Sequence, residues 1–426
     1  MKKLIIVALA IILCFFSSIP SNIIVSAEVA SKTSEKGYVS HADKVDSYQL
    51  DDPTKLSTNE LIDVLLDYPY FMDVFAYDSY SQGLQKIIRT FNGAKELFDR
   101  DNIGTALLIK YSTSDVLWEA TAKANAFFKN AFLEMMLAQK EVLSTLNDQE
   151  IVKLSELVQS RFLQRVNSNI YRSTIDVFYD TLEEQSTVYF QSPFGNLIPA
   201  ETTIVYTPNL SSVNAYRVGG DMSGEERRYL DDYIADEFPS AIKLRSATMR
   251  YNCHSYAWYS KSTSNNIWID YPTMYYTDDS YTASGWSNNN KIVYFVNGSP
   301  THSGIVVSTG TTKLSNATIE SKWGQCGLYR HNGLDCPYIE SGYSINLYEC
   351  NSHQYTYQKH DHYSHKATCE NCGFTRIEPH DFEIRVISGV NIATCKKCLY
   401  SFVYDGSIPI PESENFLHMM HIINGG

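Results

Sequence analysis

Near residue 187 the hydrophobic period of this 426-residue chain changes, and the change fixes how many kinds of fold the chain must contain. Upstream, apolar residues recur at helical spacing. Ser57 and Glu60 form an S-x-x-E capping box, Leu56 and Leu61 stand where a hydrophobic staple clamps a helix entry, and Leu61, Val64 and Leu65 continue on one face. The spacing predicts further helices over 87–98, over 116–146 with Phe128, Phe132, Met135 and Met136 on one stripe, and over 151–179. A Met and aromatic stripe of that kind is core, and no chemistry is assigned to it. Downstream, β-rich runs at 203–206, 291–296 and 304–308 lie between Gly, Asn, Ser and Pro clusters. One helix capped by Ser223-x-x-Glu226 and another starting near Cys253 interrupt them. The last stretch is rich in Cys and His and echoes itself: Cys369 to Cys395 and Cys372 to Cys398 are both 26 residues apart, and His353 to His380 is 27.

These signals divide the chain into a leader at 1–27, a flexible polar linker at 28–55 and an α-helical bundle at 56–186. A central α+β domain at 187–345, a small Cys/His-rich module at 346–403 and a tail at 404–426 follow. Lys2 and Lys3, the apolar run Leu4 to Phe16 and the small residues Val25-Ser26-Ala27 read as a secretory signal. The mature protein is expected to be secreted or cell-wall associated, with no stable membrane span after cleavage. Apolar residues at 44% and charged residues at 19% suit packed cores rather than a disordered tail or a coiled-coil rod. Lys plus Arg is 35 against 48 Asp plus Glu, and that net charge of −13 argues against nucleic acid or anionic lipid as the main partner. The 31 tyrosines fit the filling of an extracellular β-rich core.

The sharpest local signal is Tyr251-Asn252-Cys253-His254-Ser255-Tyr256-Ala257-Trp258, a single Cys entering a helix after a polar turn. The positive helix end lowers the pKa of a thiol placed there, which favours the nucleophilic thiolate. Such a nucleophile needs a base. His302 opens a strand in Thr301-His302-Ser303-Gly304-Ile305-Val306-Val307, and Glu320 stands on the next one, where a carboxylate can orient an imidazole. Ser321 and His331 are alternatives to Glu320, and His254 is read as a neighbour, since adjacent residues on a helix do not face one another. Asn252, Trp258, Trp268, Tyr276 and Trp323 are the candidate substrate contacts of a cleft.

In this order, Cys at a helix start, His in an H-x-[GA]-I-V context and a polar residue on the following strand, the chain resembles papain-like cell-wall amidases and peptidases of the CHAP and NlpC kind. The match falls on Cys253, His302 and Glu320. It departs in the His that directly follows the Cys and in the long polar insert 258–290. The resemblance implies a papain-like central domain and a thiol amidase or peptidase acting on peptide or peptidoglycan, with no cofactor in the chemistry. Residues 57–345 also resemble a group of secreted Gram-positive proteins through Ser57-Thr58-Asn59-Glu60-Leu61, Tyr68-Pro69-Tyr70, Asn252-Cys253-His254-Ser255-Tyr256-Ala257-Trp258 and Lys322-Trp323-Gly324. That group brings no activity with it. A non-catalytic surface or host-interaction protein on the same scaffold, and an acyltransferase using the same pair, are the rival readings.

In the terminal module, Cys369-x-x-Cys372 and Cys395-x-x-Cys398 present two thiolates each from a tight turn, as in a structural tetrahedral Zn²⁺ shell of zinc-ribbon type. His365 or His380 is able to replace a Cys, and two disulfides are the alternative. The segment is similar to H-x-[YF]…H-x-x-x-C-x-x-C-G…H repeats at the ends of other secreted Gram-positive proteins. Cys326 and Cys336 read as a loop disulfide, Cys350 as the odd cysteine, and His418 and His421 as incidental.

Overall fold

Capping chemistry sets the first helices. The computed structural model describes residues 40–114, 124–167, 187–191, 197–309, 313–351, 353–373 and 375–406. The leader, the tail beyond Gly406 and His418 and His421 therefore lie outside the described residues. Helix α1 (His41–Ser47) falls in the stretch expected as a linker, and it is anchored, since His41 and Val45 are buried. Helix α2 (Thr58–Leu66) begins at the anticipated capping box, with Ser57 accepting from the Glu60 N–H and Glu60 accepting from the Ser57 N–H. The single helix expected over 87–98 is two, α3 (Tyr80–Thr90) and α4 (Asn92–Phe98), because Phe91 between them is extended and stacks its buried ring on Tyr68. Helices α5 (Ile103–Thr113), α6 (Ala124–Leu137), α7 (Lys140–Leu143) and α8 (Asp148–Asn167) follow.

The strands are β1 (Thr187–Gln191), β2 (Leu197–Tyr206) and β3 (Ser212–Val218), then α9 (Gly224–Glu237), β4 (Ile242–Arg245) and β5 (Ile267–Ile269). After a short helix α10 (Thr273–Thr277) come β6 (Tyr281–Ala283), β7 (Lys291–Val296), β8 (Ser299–Thr309), β9 (Ala317–Lys322), β10 (Leu328–Asn332) and β11 (Tyr343–Cys350). They build an antiparallel four-stranded sheet, β1-β2-β3-β5, and an antiparallel seven-stranded sheet, β4-β10-β9-β8-β7-β11-β6. The terminal segment forms two three-stranded sheets, β12 (Tyr355–Lys359) to β14 (Thr375–Pro379) around β13 (Ser364–Cys369), and β15 (Phe382–Ile387) to β17 (Ser401–Val403) around β16 (Val390–Cys395). The 26-residue echo is thus a repeated sheet. The chain is a mixed α+β protein, and among the described residues no helix is long and apolar enough to cross a membrane.

Strand alternation gives the large sheet two buried faces. On one, Ile292, Tyr294, Val306, Ile319 and Tyr329 join the helices α2 to α6 in a single core. On the other, Val293, Ile305, Leu328 and Tyr348 pack with Tyr256, Ala257 and Trp258. Polar ties also join the helical part to α9 and to the segment before β11. Buried Asp73 accepts from Tyr233 at 2.7 Å and Lys86 at 3.3 Å and meets the His41 ring at 2.8 Å, while Arg89 forks onto Glu340 at 2.8 and 2.9 Å. Burial alone would raise the Asp73 carboxyl, but His41 and Lys86 hold it below the usual carboxylate range. No boundary near residue 187 divides this core.

Candidate thiol site and metal-ligand clusters

Asn252 organises the turn that presents the thiol. Its Oδ1 accepts from the backbone N–H of Ser255 at 3.0 Å and of Ile269 at 3.1 Å, and its Nδ2 donates to the Ile269 carbonyl at 2.6 Å and to Asp78 Oδ2 at 2.9 Å. Cys253 opens the helical turn that continues as a π-turn over Ser255–Tyr259. Its Sγ donates to Asp78 Oδ2 at 3.2 Å, and the Ser303 backbone N–H favours the sulfur from strand β8. His254 comes to the same carboxylate, with Nε2 at 3.6 Å from Asp78 Oδ2 and Nδ1 at 2.8 Å from Ser303 Oγ. Trp258 Nε1 donates to that Oγ at 2.9 Å, so the serine proton is available to His254 Nδ1, which leaves Nε2–H facing Asp78. Cys253 and His254, expected to diverge, thus converge on one carboxylate.

The structure separates the other expected partners. His302 and Ser303 are consecutive on β8 and point to opposite faces. Ser303 meets the thiol helix, whereas His302 stacks on Tyr338, with ring centroids 3.6 Å apart and planes 9° apart. Both ring nitrogens of His302 are buried without a hydrogen-bond partner. Glu320 does not orient that ring. Its oxygens accept from Tyr256 and, at 3.1 Å, from Arg330, on the face shared with Ile305. Ser321 and His331, the alternatives, bond each other at 2.8 Å. The aromatic candidates pack rather than line a cleft: Trp258 sits among Tyr275, Tyr276 and Tyr281, Trp268 on Phe190, Trp323 on Phe238 and Tyr329, and Tyr276 stacks on Tyr348.

Burial sets the protonation of the cluster. Cys253 and His302 are 0% exposed and His254 2%, while the Asp78 side chain, at 8%, lies nearest to solvent. Burial, and then the Asp78 charge, push the Cys253 thiol well up, opposite to the lowering expected from the helix end. Burial lowers His254 to about 3 and His302 well below the ordinary histidine range. Asp78 rises to about 7 through burial, opposed by its bonds to Cys253 and Asn252 and by the Lys322 charge. The resting site holds a thiol and neutral imidazoles, not an ion pair. Asp78 comes from the turn before α3, and a carboxylate one residue before the Ser79 cap reads in sequence as an ordinary helix start.

The cysteines and histidines of the terminal segment gather into two clusters, each able to hold a metal ion: Cys350, His353, Cys369 and Cys372, and His365, His380, Cys395 and Cys398. The four knuckle cysteines therefore divide between two places instead of forming one Cys₄ shell. Cys326 and Cys336 are separate buried thiols, not the expected loop disulfide. Comparison with protein-family models, with curated proteins and with solved structures gives no match for this chain.

Proposed function

We propose that this chain is an exported thiol hydrolase of amide bonds, acting on peptide or peptidoglycan, held in a closed state by the turn that carries Asp78. The observation that supports this is a buried polar cluster of Asp78, Cys253 and His254, with the partnerless imidazole of His302 one residue from the strand N–H that meets the sulfur. A position that needs only volume has no use for a carboxylate and two imidazoles, and unsatisfied buried nitrogens are costly unless they serve a purpose. In this reading the described arrangement is inactive: activation withdraws Asp78 from the thiol and turns the His302 imidazole from its stack on Tyr338 toward the sulfur. His302 then takes the Cys253 proton, the sulfur attacks the carbonyl, and the same imidazole returns the proton to the leaving amine. Water then hydrolyses the thioester; an acyltransferase would differ only in the acceptor. The central domain is read as papain-like, and the terminal clusters as structural zinc sites that take no part in the chemistry.

Sealing of the thiol favours a second reading, a surface protein that keeps the scaffold without the reaction. Digestion of purified muropeptides by the full-length protein, followed by mass analysis, decides between them. Hydrolysis by the wild type that is lost in Cys253→Ala and falls at least ~10²-fold in His302→Ala supports the enzyme. Hydrolysis that survives Cys253→Ala sinks it, and no product from any form leaves the scaffold reading.

A further inference from the structure

The two terminal clusters have the dimensions and the supporting bonds of two complete tetrahedral shells. In the second, the His365 and His380 Nδ1 atoms are 3.4 Å apart, Cys395 Sγ is 3.6 Å from His365 Nδ1 and Cys398 Sγ is 3.3 Å from His380 Nδ1. A tetrahedron with metal–nitrogen bonds of ~2.0–2.1 Å and metal–sulfur bonds of ~2.3 Å has edges of ~3.3–3.8 Å, which these separations match. In both histidines the other nitrogen is held away from the centre: His365 Nε2 lies 3.3 Å from Glu378 Oε2, and His380 Nε2 lies 3.1 Å from the Asp361 carbonyl. Outer bonds of that kind fix a ring as a metal ligand. The first cluster repeats the plan. Cys372 Sγ is 3.5 Å from His353 Nδ1, and all four of its ligand atoms lie within 4.8 Å of one another.

Both knuckles are folded to present sulfur inward. The Gly373 N–H closes on the Cys369 carbonyl at 2.8 Å and the Leu399 N–H on the Cys395 carbonyl at 3.0 Å, with left-handed backbone at Gly373 and Leu399. The backbone N–H groups of Asn371 and Cys372 favour the Cys369 sulfur. Soft thiolate and imidazole donors in fourfold sets suit zinc rather than calcium or magnesium. The first set carries three thiolates, one negative charge in excess of a dication, and the buried Lys291 interacts with all three sulfurs. A cavity of about 340 Å³, lined in part by Asn290, Glu349, Cys350 and His353, leads to that cluster and gives an ion a way in.

We infer that the terminal segment holds two zinc ions, one in a Cys₃His shell and one in a Cys₂His₂ shell, and that the first fastens the segment to the central sheet. Cys350 is the last residue of β11, paired with Tyr281 on β6, so one ligand of the first ion belongs to the seven-stranded sheet and three belong to the repeat. Tyr281 also donates to the Asn371 carbonyl inside the knuckle, at 2.9 Å. The inference rests on reading these clusters as metal sites and is independent of the chemistry at Cys253.

Metal analysis of the full-length protein purified with zinc present tests it. The expected content is two zinc per chain, falling to one in Cys350→Ser, in His353→Ala, in His380→Ala and in Cys398→Ser. A single zinc that is lost in Cys369→Ser and in Cys395→Ser but kept in both histidine variants overturns the partition in favour of one Cys₄ shell. No zinc, with the knuckle cysteines oxidised, overturns the metal reading itself. Where a variant fails to fold, cadmium loading of the unaltered protein takes its place: two ¹¹³Cd resonances, one for a three-sulfur and one for a two-sulfur site, are expected, and one resonance refutes the assignment.

Discussion

Asp78 is buried beside a thiol, an amide and an imidazole, and every contact falls on Oδ2 while Oδ1 has no partner. Its carboxyl is raised to about 7 by burial, against an ordinary value of 3.8. A raised acid stabilises the fold while it keeps its proton, so the contribution is complete below pH 3.8 and is lost as pH climbs through 7. Asp78→Asn is expected to remove that slope. Urea unfolding from pH 4 to 8 should show the wild type losing up to ~4 kcal/mol more than the variant across this window. Parallel profiles would reject the protonated-carboxyl account. Asp270, also raised to about 7 by burial and then by the Asp78 charge, should move down in the variant while burial keeps it raised. At this scale the sequence was partly legible. Cys253 and His302 stand out because a lone Cys at a helix start and a His opening a strand are local patterns. Asp78 lies 175 residues away with a side chain that reads as helix-start charge, and Glu320 looked suitable only because strand order does not say which face a carboxylate takes.

Among the elements, the segment from Phe71 to Ser79 lays Asp78 against the thiol, and Gly324 packs against its backbone. Gly324 has a φ of +43°, and a Cβ there would stand 2.4 Å from the Ala76 carbonyl carbon and from the Tyr77 oxygen. Around this contact the Gln325 N–H donates to the Phe75 carbonyl at 2.8 Å, Tyr338 donates to the Ala76 carbonyl, and Tyr77 donates to the Pro337 carbonyl at 2.9 Å. Gly324→Ala is therefore expected to push the turn off the sheet, at a cost of ~2–4 kcal/mol, and to speed iodoacetamide labelling of Cys253 several-fold. Gly285→Ala, where a Cβ meets open space, is the control expected to change neither. Peptide mapping of the labelled protein reads both, and equal labelling of Cys253 in the two variants would remove the turn from its role as a cover. Capping boxes and strand runs were legible here, since each is a local pattern that burial reinforces. The break at Phe91 was not, because its cause is a ring stacked on Tyr68, more than twenty positions back in the chain.

For the molecule as a whole, the terminal repeats differ from the rest in how little they bury. Strand β15 exposes most of its residues, Val386 is 70% and Ile387 57% exposed, and each repeat is a sheet of only three strands. Sheets that small do not supply enough apolar burial to stand alone, and binding of a metal to them is folding free energy. The helices and the large sheet, by contrast, share one core, and the Arg89–Glu340 ion pair links the helices to the segment that leads into β11. Removing metal should therefore split the response of the chain in two. Limited proteolysis of the full-length protein after chelation is expected to cut within 351–406 and to leave a resistant fragment ending near Cys350, while zinc-loaded protein stays uncut in that stretch. Because Cys350 supplies a ligand from the sheet, Cys350→Ser with zinc present should expose the join between β11 and β12 but spare the second repeat, whose four ligands all come from its own strands and turns and from β13. Uniform resistance with and without chelator would show that packing alone secures the repeats, and cleavage of the helical core on chelation would show that the ions support far more than the segment that binds them.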